Sequence, residues 1–78
     1  MPLTGRQADA LTAAADGAPL RVVAERLGIP REQAASHLAR AYERLDVTYL
    51  PRGERRAAAV RAAVHRGLIP TPNGPETT

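Results

Sequence analysis

Ala8, Leu11 and Ala15 recur at intervals of three and four residues, which predicts a first helix over 5–16 with one apolar side. Thr4 and Gln7 have the spacing of a capping box, in which hydroxyl and amide satisfy each other's free backbone donors at a helix start, and Gly17 supplies a stop. A second stripe, Val23, Ala24 and Leu27, predicts a helix over 20–27 with Pro19 at its first turn and Gly28 at its end. The longest series is Ala34, Leu38, Ala41 and Leu45, which holds one face over three turns and predicts a third helix from Pro30 to about 45. Its opposite face carries Arg31, Gln33, Ser36, Arg40 and Glu43. Pro51 and Gly53 mark 46–53 as a loop, and a fourth helix over 54–66 is anchored by Val60 and Val64 and stopped by Gly67. Leu68 and Ile69 are expected to fold back on the core. The polar, proline-containing stretch 71–78 has nothing to bury and is expected to be a disordered tail.

No strand pattern and no internal repeat interrupts this succession, so the expected fold class is all-α, with one domain over 1–70. Only a few residues, Gly28 and Ile29 among them, separate the second and third helices, the short glycine-containing connection of a helix-turn-helix. A chain of 78 residues is too short for two independent cores. Its 44% hydrophobic but only 3% aromatic content demands an aliphatic, alanine-rich interior. Such a core buries little area at roughly 25 cal/mol per Å², so self-association is an expected source of further stability. Without cysteine there is neither a disulfide framework nor a thiolate zinc site. No run approaches the length of a membrane span and the first residues lack the regions of a signal peptide, so the cytoplasm is the expected compartment.

The formal net charge is +3, and all 11 basic residues are arginines, which together with the alanine content fits GC-rich bacterial coding. The excess lies towards the C-terminus: Arg52, Arg55, Arg56, Arg61 and Arg66 face only Glu54 and Glu76, whereas earlier charges nearly cancel. A basic region of this kind either follows a nucleic-acid backbone or keeps a surface solvated. Ser36 and His37 are adjacent on one helix and point to different sides, so no nucleophile with its base is assembled and no enzyme is expected. His37 reads as a packing residue bonded to backbone, and His65 as a partner of the helix dipole. Neither has ligands at metal-binding spacing, no phosphate-cradling glycine loop is present, and no cofactor is expected.

In order and spacing, residues 3–69 resemble the DNA-binding domain of LuxR-type (GerE-like) transcriptional regulators. Leu3-Thr4-x-Arg6-Gln7-x-Asp9-x-Leu11 is similar to the family's opening L-T-x-R-E-x-E-V-L, and Val23-Ala24-x-x-Leu27-Gly28-Ile29 to its I-A-x-x-L-x-I. His37 stands at the histidine of T-V-K-x-H, Arg44-Leu45 resembles the K-L pair, and Gly67-Leu68-Ile69 the usual ending. The resemblance implies four helices, the third entering the major groove of double-stranded DNA and the fourth commonly making a dimer contact, here through Val60 and Val64. Such domains usually sit behind a sensor or receiver module, and none is expected within residues 1–78. Gln33 and Ala35 replace the family's threonine and lysine, Pro30 its capping serine or threonine, and Arg40 its asparagine. The loop before the fourth helix is longer than the family's by roughly six residues and contains Thr48, Tyr49, Leu50 and Arg52.

A sequence-specific DNA-binding regulator is therefore the expected function. Its expected contacts are Arg31, Gln33, Ala35, Ser36, Arg40, Arg44, Arg52 and Arg56, arginine pairing with guanine or phosphate and glutamine with adenine. The alternative is a protein-interaction module that keeps the scaffold without reading bases, for example an adaptor of RNA polymerase or an anti-regulator. The missing lysine, the balanced charge of the first three helices and the enlarged loop point that way.

Overall fold

A computed structural model describes residues 3–70 and contains α1 (Gly5–Ala13), α2 (Leu20–Leu27), α3 (Arg31–Arg44) and α4 (Arg52–His65). All regular structure among the described residues is helical. None of these helices is long and apolar enough to cross a membrane. The expected tail at 71–78 lies outside the described residues.

α1 starts where the capping box places it. The Gln7 amide donates to the Thr4 hydroxyl, and the Thr4 amide donates to Gln7 Oε1, both at 3.2 Å. It ends earlier than expected, at Ala13 rather than Asp16. The chain tightens there into three-residue turns, Ala15 N–H to Thr12 O and Gly17 N–H to Ala14 O. The Arg26 guanidinium takes the Ala13 carbonyl at 2.7 Å and pairs with Asp16, whose carboxylate also accepts from the Ala18 amide at 3.1 Å. That guanidinium holds the Asp16 carboxyl below the usual carboxylate range, with the Ala18 amide adding to the effect.

The other three helices begin alike. Pro19, Pro30 and Pro51 each occupy the position before the first helical residue, with φ between −62° and −54° and extended ψ. A proline there loses no helical hydrogen bond, because the ladder has not begun. For α4 this moves the start from the expected 54 back to Arg52 and shortens the loop.

α2, α3 and α4 also end alike. In each case a residue two or three positions past the helix donates back to a carbonyl five residues earlier: Ile29 to Ala24, Val47 to Tyr42 and Leu68 to Ala63. The residue between is left-handed, at φ +67° for Gly28, +60° for Asp46 and +73° for Gly67. This is the Schellman closure, which directs an apolar side chain back over the last turn. Val47 and Ile69 are buried as a result, and Leu68 and Ile29 half-buried.

α3 packs against all three other helices, and α4 also touches α1. The predicted inner face of α3, Ala34, Leu38, Ala41 and Leu45, is buried in full. It meets Ala10, Leu11 and Ala14 from the α1 region, Val23 and Ala24 from α2, and Ala59, Val60 and Ala63 from α4. Alanines fill half of this interior, so the helices approach closely, and Leu11 and Val23 are its largest wholly enclosed side chains.

Candidate nucleic-acid interface

Three residues, Gly28 to Pro30, connect α2 to α3, and the closure at Gly28 fixes how the second helix leaves the first. Pro30 provides no side-chain cap, and the first amides of α3 point outward at the positive end of the helix dipole. Arg31 stands at this end, exposed, beside Arg21 and Glu25 in a shallow groove between the two helices. Arg21 and Glu25 are themselves 3.8 Å apart on the exposed side of α2.

At about 100° per residue, the side of α3 opposite its buried stripe carries Glu32, Ser36 and Glu43. All three are exposed. One shoulder of this crest carries Gln33, Arg40 and Arg44, with His37 half-buried beside them; the other carries Ala35 and Ala39. None of the described residues covers the crest. Among the described residues His37 has no hydrogen-bond partner, unlike the expected packing residue bonded to backbone. Ser36 and His37 project from neighbouring positions of one helix, with no carboxylate bonded to the ring.

The alanine shoulder does not face open solvent alone. Ala35, Ala39 and Tyr42 form one wall of a cleft whose other wall is the start of α4, with Arg52, Arg55 and Arg56. A second cleft, on the far side of Tyr42, is bounded by Ala15, Gly17, Gly53 and again Arg52 and Arg56. The arginines are held differently. Arg55 donates its Nε to the Leu50 carbonyl at 2.9 Å, and Arg56 donates Nη1 to the Ala18 carbonyl, joining α4 to the α1–α2 connection. Arg52 is exposed and has neither a hydrogen bond nor an ion pair among the described residues.

The structure thus brings together Ala35, Arg52 and Arg56 of the sequence-derived candidates, with Gln33, Ser36, Arg40 and Arg44 on the adjoining crest and opposite shoulder. Arg31 sits apart, at the helix start. Arg56 is half-buried and partly committed to the α1–α2 connection. Arg55, Ala39 and Tyr42 are the additions. Ala39 and Tyr42 follow Ala35 at intervals of four and three, a second stripe visible in the sequence once Pro51 is recognised as the start of α4.

Val60 belongs to the monomer's own core, whereas Val64 is half-buried and forms, with Ala58, Ala62 and the stems of Arg61 and His65, an open apolar shelf on α4. Tyr49 is 81% exposed, while Leu50 packs against the core. Among the described residues no three histidine, aspartate or glutamate side chains are grouped as a metal site requires. Comparison with family models, with curated proteins and with solved structures gives no match to this chain.

Proposed function

We propose that this protein is a helix-turn-helix regulator of the LuxR type that binds double-stranded DNA with α3 in the major groove. The observation that carries the proposal is the uncovered outer side of α3 with cationic groups on both shoulders, Arg40 and Arg44 on one and Arg52 and Arg55 on the other. A helix lying in a major groove has a phosphate backbone on either side, and arginines flanking the helix match that arrangement. Gln33 projects from the crest's edge, where a base edge is the matching contact, and Ser36 from its centre. The α4 shelf around Val64 offers a surface on which two copies pair, as two-fold operators require.

The test is titration of the protein into a randomised duplex pool at low and moderate salt. Retention of duplex at low salt, weakening as salt rises, is the expected result; no retention at low salt refutes the proposal.

A second reading is favoured by one feature: the crest centre carries Glu32 and Glu43, whose charge opposes close approach to phosphate. In that reading the same side, with exposed Tyr49, docks on a protein such as RNA polymerase or another regulator. A pull-down from nuclease-treated bacterial lysate separates the two, because a protein partner survives the treatment and a DNA tether does not.

A further inference from the structure

We propose that the cleft between the alanine shoulder of α3 and the start of α4 is a preformed receptor for a single phosphate group. This deepens the DNA reading by assigning one strand contact to a built site, but the cleft's chemistry does not depend on a duplex. Three arginines, Arg52, Arg55 and Arg56, line the cleft opposite a wall made of Ala35, Ala39 and Tyr42. No carboxylate lines this cleft or its neighbour beyond Tyr42. Nor does Glu54 or any other carboxylate pair with these arginines among the described residues. Like charges gathered without a counter-charge repel one another, and a bound anion relieves that repulsion.

The tethering of two of the groups matters as much as their charge. Arg55 and Arg56 are each held by a backbone carbonyl through one nitrogen, which leaves other N–H donors of each planar fork free while fixing its orientation. Much of the side-chain entropy that an arginine ordinarily loses on gripping an anion is therefore already lost in the fold. Arg52, exposed and without a hydrogen bond or ion pair among the described residues, has all its donors to offer the ligand. The alanine wall keeps the approach clear, so a tetrahedral oxyanion reaches the forks without displacing a bulky side chain. Phosphate suits them best, because it presents several oxygens to charge-assisted, bidentate hydrogen bonds.

The group has two sources, a phosphodiester of a duplex strand or a free phosphate or phosphomonoester. The experiment follows arginine Nε–Hε and backbone amide signals of the full chain by NMR while inorganic phosphate is added, against sodium chloride at matched ionic strength. The expected result is saturable shifts confined to Arg52, Arg55, Arg56 and residues 35–42, with Arg61 and Arg66 unmoved. Arg52→Ala, with its remaining spectrum unchanged, should weaken phosphate about tenfold, the loss expected for one charge-assisted contact. Shifts equal to those in chloride, or spread evenly over all arginines, overturn the proposal. A short duplex is then added. If it displaces phosphate, the cleft holds a strand of DNA; if phosphate binds and duplex does not displace it, the receptor stands and serves a free phosphate compound. Duplex binding with no phosphate response overturns the receptor and leaves the DNA reading intact, so the two fail separately.

Discussion

Replacing single arginines beside α3 should change how binding responds to salt by a predictable amount. Each phosphate neutralised by a protein cation releases counterions, and log K falls with log salt at a slope of about −0.9 per contact. Arg31, Arg40, Arg44, Arg52 and Arg55 have no ion-pair partner among the described residues, Arg31 standing at the start of α3 and the other four beside its outer side. If each meets one phosphate, the slope per bound chain is about −4.5, and affinity falls about 500-fold between roughly 50 and 200 mM salt. Arg40→Ala and Arg52→Ala should each reduce the slope by about 0.9, and they should do so equally on unrelated duplexes. Gln33→Ala should leave the slope unchanged and alter preference at a base step. Fluorescence anisotropy with labelled duplexes over a salt series measures all of this, with circular dichroism confirming that each variant is folded. A wild-type slope near zero, or slopes unchanged in both arginine variants, refutes the reasoning.

Leu11→Ala should cost about 3 kcal/mol, because it empties the site of one of the two largest fully enclosed side chains. Against the roughly 4–12 kcal/mol expected of a chain this size, urea unfolding should show a midpoint lowered by about 2 M or more, and a shift under about 0.5 M contradicts the packing described. Asp46→Gly and Gly28→Ala should have opposite signs, since both residues are left-handed and only glycine adopts that conformation freely. The first should stabilise by about 0.5 kcal/mol; the second should destabilise by about 1 kcal/mol through backbone strain alone, as an added methyl group at Gly28 meets nothing within 4 Å. Asp16→Asn should flatten acid unfolding. The Asp16 carboxyl is lowered by Arg26, so its contribution is present above the unfolded carboxylate pKa and is lost as pH falls through the lower folded value. Thermal midpoints of wild type and variant should therefore converge between about pH 5 and pH 2, and a constant gap refutes the assignment.

The helices were legible in the sequence because their apolar spacing is regular. α2 falls where Val23, Ala24 and Leu27 put it, and α3 follows the stripe from Ala34 to Leu45 to within a residue. What escaped was decided by contacts between distant residues. Nothing near Ala13 announces that Arg26, 13 residues further along the chain, will claim its carbonyl where α1 ends. Pro51 looked like part of a loop because proline breaks helices from within, yet at the position just before the first turn it opens one. Asp46 hid the third helix closure, since a left-handed stop normally announces itself as glycine. The candidate site was legible as a charged helix face, but its second shoulder was not. Tyr42, Ala39 and Arg55 acquire a role only when α4 is laid against α3.

The placement of the two phenol rings gives the molecule an optical consequence. With no tryptophan in the chain, near-ultraviolet emission comes from Tyr42 and Tyr49 alone. Tyr49 lies in solvent, and its replacement by phenylalanine would leave a single emitter wedged between the two arginine-lined clefts. Such a variant is an unlabelled reporter: its quantum yield and its accessibility to acrylamide quenching respond to whatever settles at the junction of the third and fourth helices.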